Sequence, residues 1–350
     1  MTEIKIKLLA IAKNEAANLP QWIFHHLRLG VDSIDVYING SSDNSFEISR
    51  KINAFEPRYK YHKADRHLER CIKKGENFQK YIYNRVFKKY KKLATYTHLL
   101  ILDLDEYLMP DRLDHNLKDL ILSNEDVSVI TFPWCIDAPD DAMTPPFHKF
   151  ISPTINLRPH KLVKSIGRIN DIKKVLPHGF ILKSSKDDEK YLEKRTLSNG
   201  TCINRENSSI HGSILGREVR KIFEKNISKT WFTLHRVNKS ETEYLASLLK
   251  GRPSKLANKN FDSVLKNNRE GYILFNPTTM FQKTYSHSSI QDYYSEYTNF
   301  IDQSGIKSEL KVSQNFILNQ LDELNQLIKD NPDIAQIFKK QFVGTRYSSG

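Results

Sequence analysis

Cysteine is nearly missing from this chain: Cys71, Cys135 and Cys202 are odd in number, far apart, and form no CxxC pair. That excludes a disulfide framework and the usual zinc spacings, and it predicts a reducing, cytosolic setting. Long apolar runs are missing too. The first, Leu8–Ala12, is too short for the core of a secretion signal, and no run approaches the ~18 residues that span a bilayer. A soluble protein is expected, at most attached to a membrane surface. Neither a Walker A loop nor GxGxxG occurs, which argues against the phosphate cradles built on glycine. Negative charge is scarce: 41 Asp and Glu stand against 54 Lys and Arg, giving a formal charge of +13 and a pI near 9.4.

What is present suffices for a sizeable core, with 39% hydrophobic and 27% charged residues in 350. The basic excess is concentrated. Residues 51–100 carry fourteen Lys and Arg against four Asp and Glu, a balance suited to phosphate-rich ligands, anionic membranes or nucleic acid. A lysine-rich solvated surface is the plain alternative.

"IKIKLLAIA" (4–12) alternates and then turns fully apolar, as an inner parallel strand does. A helix follows with Leu19, Trp22, Ile23, His26 and Leu27 on one face, stopped by Gly30. "SIDVYIN" (33–39) reads as a second strand, "GSSDNS" (40–45) as a polar loop and "SFEISRKINAF" (45–55) as a second helix. This order opens an α/β sheet with right-handed crossovers, whose ligands bind at the carboxyl ends of the strands. A basic helix over about Asn77–Lys92 leads into "THLLILDLDEYL" (97–108), and "VSVITFPWCI" (127–136) is a further strand. Residues 137–165 read as loop, and 184–200 as a polar, mobile insertion. A capped helix is expected over 240–251, and helices over 310–330 and 333–342 form a C-terminal appendage. The division expected is a main domain over 1–276 and the appendage over 277–350. Packing on the main domain is the ordinary role for those helices, and homodimerisation the other.

The acids at the end of "LLILDLDEYLMP" (99–110) carry the chemistry. In a continuous strand Asp103 and Asp105 share a face while Glu106 faces away. Two carboxylates side by side at a strand end call for a cation, and a hard divalent ion with oxygen ligands leaves positions for phosphate oxygens. Capping a turn or pairing with lysine is the alternative. Glu106 is then left to fix a loop or a cation nearby.

Together with "AIAKNEAANLPQWIFHHLRLGVDSIDVYINGSSDNS" (10–45), this D-x-D-E-Y element resembles the GT-A-fold nucleotide-sugar glycosyltransferases of the family 2-like and family 92-like group. Lys13, Asn14, Glu15, Trp22, His26, Gly30, Ser42 and Asp43 match the group's opening pattern, and Gln79 lies on the helix before the acidic strand. "WFTLHRVNKSETEYLASLLKGRP" (231–253) matches a later element at His235, Lys239, Ser240 and Glu243. It departs at Leu234 and Arg236, where the pattern has asparagine and tyrosine, and at Lys250–Gly251, where it has arginine and glycine. "RPHKLVKSIGRI" (158–169) and "VLPHGF" (175–180) resemble intervening pieces. The resemblance spans about residues 5–255 and omits the helical tail.

It implies a GT-A, Rossmann-like mixed and mostly parallel sheet flanked by helices. It further implies transfer of a hexose from a nucleotide sugar, UDP-linked for preference and with inversion, to a surface-glycan acceptor such as lipopolysaccharide or capsule. The cofactor implied is Mn²⁺ or Mg²⁺, with Asp105 as direct ligand, Asp103 reaching ribose or a metal-bound water, and His235 either a third ligand or a buried hydrogen-bonded histidine. Donor contacts would come from Lys13, Asn14, Glu15, Asp43, Gln79, Asp103, Lys164, His178, Lys239 and Arg252. The base for the acceptor hydroxyl would be Asp137 or Asp140, which could equally be turn acids. A glycolipid acceptor at an anionic membrane face would give the basic surface a purpose. Nucleic acid is not an expected partner, since Tyr81, Tyr83, Phe87 and Tyr90 interleave with the basic residues at helical spacing, as a half-buried helix would. A metal-dependent nucleotidyltransferase is the second rival, weakened by the absence of glycine after the first strand.

Overall fold

The structure, a computed structural model, describes residues 3–183, 194–204, 208–209, 212–249, 265–266 and 268–348. Arg252, Lys250 and Gly251 lie outside the described residues, as does most of the polar insertion. The chain forms a mixed α/β fold. β1 (Ile6–Ala12), α1 (Leu19–Arg28), β2 (Ser33–Ile38), α2 (Ser45–Phe55) and β3 (Tyr59–Lys63) follow one another as the sequence predicts, with β1, β2 and β3 parallel. Two helices, α3 (Asp65–Lys74) and α4 (Phe78–Leu93), cross to β4 (His98–Ile101), which lies parallel to β1 on its other side. The Asn77 side chain caps α4 by accepting from the Lys80 N–H at 2.9 Å.

Beyond β4 the chain does not continue as one strand. It turns over Leu102–Asp105, with the Glu106 N–H donating to the Asp103 carbonyl at 3.0 Å, and resumes as β5 (Glu106–Met109). After α5 (Leu117–Leu122), β6 (Val129–Asp137) and β7 (Thr154–Arg168) pair antiparallel, and a two-stranded ribbon follows in β8 (Ile172–Leu176) and β9 (Gly179–Leu182). The expectation of loop through residue 165 is corrected by β7, at 15 residues the longest strand. Its apolar alternation is interrupted by Arg158–Lys161, whose partly exposed side chains hid the strand. β10 (Arg195–Leu197) pairs with β6, α6 (Arg217–Lys225) leads to β11 (Phe232–His235), and α7 (Glu241–Leu248) follows, capped by Ser240. β12 (Phe281–Thr284) adds to β7, and α8 (His287–Ser304), α9 (Lys307–Asp330), α10 (Asp333–Ile337) and α11 (Lys339–Phe342) close the chain. The large sheet runs β3-β2-β1-β4-β7-β6-β11-β5.

Helices cover both faces. Ile6, Leu8 and Ala10 of β1 pack with α1, α2 and α8 on one side, and Leu9 packs with α4 on the other. α8, which sequence reading did not anticipate, contributes Tyr293, Tyr294, Phe300 and Ile301 to the first of these cores. The apolar stripe of α9 is covered at Leu321 and Leu324 by Tyr244, Leu245 and Leu248 of α7. Lys7, which alternation would turn to water, is 1% exposed. Its ammonium meets Asp35 Oδ1 at 2.6 Å and Ser33 Oγ at 2.9 Å beneath the rings of Tyr90 and Tyr96, so the buried charge is paired and hydrogen-bonded. No helix among the described residues is long and apolar enough to cross a membrane.

Candidate functional site

The carboxyl ends of β1, β4, β6 and β11 meet around a cleft of about 540 Å³. Asp103 and Asp105 reach it from the turn after β4, His235 from the end of β11, Trp134 from β6, and Arg158 and His160 from β7. His178 and Glu15 complete one wall, and Arg269 and Lys266 another. A second cavity of about 530 Å³ opens at the opposite end of the sheet, beside Tyr96, His98 and Arg168. Ligands of open α/β sheets bind at the carboxyl ends, and the paired acids lie only at the first.

The turn divides the acids in a way strand parity misses. Asp103 and Glu106 converge on one buried ammonium, with Lys164 Nζ 3.2 Å from Asp103 Oδ2 and 2.9 Å from Glu106 Oε2. The Asp103 N–H donates to Glu106 Oε2 at 2.7 Å, and the Trp22 indole donates to the Glu106 carbonyl at 2.8 Å. Gln79 Nε2 and the Tyr83 hydroxyl hold Asp103 Oδ1 at 3.2 and 3.3 Å. Burial, reinforced by the charges of Asp103 and Asp105, pushes Glu106 up to about 8 against the attraction of Lys164. Burial acts the other way on Lys164, yet the charges of Asp103 and Glu106 hold it above the ordinary lysine range.

Asp105 faces a different set. Its Oδ2 lies 3.3 Å from His235 Nε2 and 3.7 Å from an Arg269 nitrogen, and its carbonyl accepts from the Arg236 N–H at 2.8 Å. Burial would raise this carboxyl, but the charge and hydrogen bond of His235, with Arg269 and Lys239, hold it well below the usual range. The His235 ring stacks on Trp134 at 4.1 Å and 14°. Around the cleft Trp134 Nε1, Arg158 Nε, Arg269 Nε and His235 Nδ1 are buried without a hydrogen-bond partner. Buried polar groups are seldom left so, and their clustering marks a surface shaped for a polar ligand.

The donor chemistry fits a divalent cation bound beside phosphate oxygens. Asp105 and His235 offer one oxygen and one nitrogen from adjacent strand ends, which leaves most of a hard ion's shell to ligand and water. Among the described residues no three His, Cys, Asp or Glu close a cluster by themselves, because Asp103 is turned to Lys164.

The other expected residues distribute as follows. Glu15 lines the cleft, with Asn18 donating to its carboxylate at 2.9 Å. Asn14, at φ +52°, exchanges hydrogen bonds with Ser41 and Ser42, and Asp43 accepts from the N–H groups of Ala16 and Ser45 at 2.8 and 3.0 Å. These residues knit the β1–α1 turn to the β2–α2 loop, and neither Asn14, Asp43 nor the neighbouring Lys13 is among the residues lining the cleft. His178 lines it, held by the Val163 carbonyl at 3.2 Å and lowered to about 4 by burial and the charge of Lys164. Asp137, Asp140 and Lys239 line an adjoining recess. Asp137 is raised by burial, and its Oδ1 accepts from the Asn238 N–H at 2.8 Å. Asp140 is exposed and accepts from Asn156 at 2.5 Å. Sequence reading missed Trp134, Arg158, His160 and Arg269. Trp134 is half-buried in the otherwise buried β6, which only the structure reveals, and Arg269 has no motif around it.

No family model and no curated protein matches the chain. Among solved structures it is similar to HddC from Yersinia pseudotuberculosis, at 12% identity over 48% of this chain and 78% of that one, with a TM-score of 0.26. A glycosyltransferase involved in glycosylation of the major capsid of PBCV-1 aligns at 11% identity over 47% and 60%, with a TM-score of 0.20. An apo UDP-glucose pyrophosphorylase aligns at 8% over 67% and 90%, with a TM-score of 0.24. Likenesses of this size carry no argument for function, which rests on the geometry of the cleft.

Proposed function

We propose that this chain is a metal-dependent glycosyltransferase that moves a hexose from a nucleotide sugar, for preference UDP-linked, to a surface glycan such as lipopolysaccharide or capsule, with inversion. The observation that carries the reading is the turn at the end of β4, which presents Asp105 with His235 to a cleft lined by unpartnered donors. A nucleotide sugar departs as a diphosphate, and stabilising that charge is the main electrostatic task. Mn²⁺ or Mg²⁺ held by Asp105 and His235 would supply Lewis-acid stabilisation of the leaving diphosphate. Arg269 and Lys266 flank the same oxygens' position, while Lys164, Gln79 and Tyr83 fix Asp103 for a ribose hydroxyl or a bound water. Trp134 offers an apolar platform beside His235. Asp137 is the base proposed for the acceptor hydroxyl, since burial raises its carboxyl toward the range where a proton is readily taken.

The face of α3 and α4 supports the membrane-associated part of the reading. Arg66, Arg70, Lys73, Lys74, Lys80, Arg85, Lys88, Lys89 and Lys92 are all exposed there. An anionic lipid surface attracts each such residue by about 1 kcal/mol.

The test is a panel of nucleotide sugars, scored for binding and slow hydrolysis with and without Mn²⁺. Release of a nucleoside diphosphate is expected, and Asp105→Asn abolishes it. Release of pyrophosphate from a nucleoside triphosphate and sugar phosphate would instead identify a nucleotidyltransferase. No donor bound or turned over, with Asp105→Asn indistinguishable from the parent, overturns the proposal.

A further inference from the structure

Beside the cleft lies a recess of about 170 Å³, walled by the end of β6, the loop after it and the chain following β11. A narrow space lined by Glu15, Asp105, Arg236, Lys239 and Arg269 joins the two. Arg236 and Lys239 therefore face the recess and the passage to Asp105 at once.

Arg236 is 7% exposed, and its guanidinium lacks what a buried guanidinium needs. The nearest carboxylate oxygen, Asp137 Oδ2, is 4.0 Å from Nε, beyond hydrogen-bond reach. The other contacts are a marginal one to His148 Nε2 at 3.4 Å and the face of Phe150, 5.3 Å to its centroid. Within the protein its five N–H donors are thus answered by one long contact and an aromatic ring, and the rest open on the recess. Asp137 has its Oδ1 committed to Asn238, and Asp140 is at the exposed edge, bound to Asn156. Lys149 adds positive charge to the same wall.

The wall is held in place. Phe147 adopts φ +61°, a conformation costly for a side-chain-bearing residue, and its N–H donates to Glu243 Oε2 at 3.1 Å. Glu243 is fixed in turn by Ser240, the cap of α7, at 2.9 Å.

We propose that this recess binds an oxyanion carried by the acceptor, a phosphate or carboxylate on the accepting glycan, through Arg236 with Lys239. The inference rests on the transferase reading and names the acceptor's chemical class. Arg236 presents a planar fork suited to bidentate recognition of either anion. The donor diphosphate is answered on the far side of the passage by Arg269, Lys266 and the Asp105 site, so the recess is left to the second substrate.

The experiment is titration of the full chain, by calorimetry or NMR, with a methyl hexoside 6-phosphate, a methyl hexuronide and the neutral methyl hexoside, and separately with UDP. At least one of the two anionic sugars should bind ten-fold or more tightly than the neutral one, and the stronger identifies the anion. Arg236→Met should remove that preference while leaving UDP affinity within two-fold and the melting temperature within a few degrees; Arg236→Lys should retain part of it. Equal binding of the three sugars by the parent overturns the proposal. So does an Arg236→Met protein that loses UDP affinity and keeps the sugar preference. The readout needs no turnover, so a failed donor panel with an intact anion preference would refute the transferase reading alone.

Discussion

Lys164→Met removes the one ammonium shared by Asp103 and Glu106. Lys164 is 1% exposed and Glu106 fully buried, so the contacts are little screened and the substitution leaves the Asp103 carboxylate and the Glu106 carboxyl without their shared donor. Breaking a buried pair by deleting one partner destabilises by about 3–5 kcal/mol, whereas removing both is often close to neutral. Urea unfolding at pH 7, followed by far-UV circular dichroism, should therefore show a loss of that size with an unchanged slope. Lys164→Met/Glu106→Gln should recover at least ~1 kcal/mol of it, a non-additivity expected of groups in one network. The pH dependence has a definite sign. Glu106 is raised to about 8, so its stabilising contribution is complete below its ordinary value and is lost as pH rises through 8. Without Lys164 that carboxyl loses its cation and ionises at still higher pH, so the deficit of the variant should be level up to about pH 8 and grow above it. A loss under ~1 kcal/mol, strictly additive losses in the double variant, or a deficit that shrinks as pH rises would refute this account of the turn.

Asp105→Asn should lower donor hydrolysis by about 10²-fold or more in kcat, with the thermal midpoint within a few degrees of the parent. Trp22→Phe removes the indole donor to the Glu106 carbonyl and should cost about 1–3 kcal/mol in urea, since the carbonyl is left buried without its partner. Asp35 is held at about 2, against burial, by the nearby His62 ring, 3.5 Å away, and by the charge of Lys7. It should contribute roughly 2 kcal/mol at neutral pH that is lost as pH falls from its ordinary value through 2, an acid limb that Asp35→Asn should abolish. Lys73→Glu/Lys74→Glu/Lys88→Glu on the α3–α4 face should weaken co-sedimentation with phosphatidylserine vesicles by more than ten-fold. Parent binding that persists undiminished in high salt would refute an electrostatic origin.

The elements legible in the sequence were those whose local signals agree. β1, α1, β2 and α2 each carry a pattern of the right period between recognisable stops, and Asn77 and Ser240 announce their helices by capping them. α8 was hidden because its buried face is built from tyrosine and phenylalanine among Ser, Asn and Asp, which favour caps and turns over helix interiors. β7 was hidden by Arg158–Lys161, three polar residues and a proline, of which Arg158 and His160 face the cleft. The same division applies to the site. Asp103, Asp105, His178 and His235, which the fold brings to one cleft, stood out because they belong to ordered short patterns. Arg269 comes to Asp105 from well over a hundred residues away, and Trp134 to His235 across parallel strands; no spacing rule reaches such pairs.

The turn explains why three acids stand so close. A continuous strand would give Asp103 and Asp105 one face, and their repulsion would have to wait for a ligand. Turning after Leu102 instead gives each carboxyl its own partners within the fold. Asp103 and Glu106 share Lys164 from β7, and Asp105 takes His235 from β11, with Arg269 behind it. β5 makes this possible by leaving β4 and pairing antiparallel with β11, which puts His235 opposite Glu106 in register. The acids are therefore held apart before any ligand enters. A carboxylate fixed in advance to hold a cation is what stabilisation of a departing anion by that cation would require. Asp105 is the acid left facing the cleft's own donors. Its neighbours Asp103 and Glu106 are both bound to Lys164, which anchors the turn to β7 and keeps Asp105 where it is.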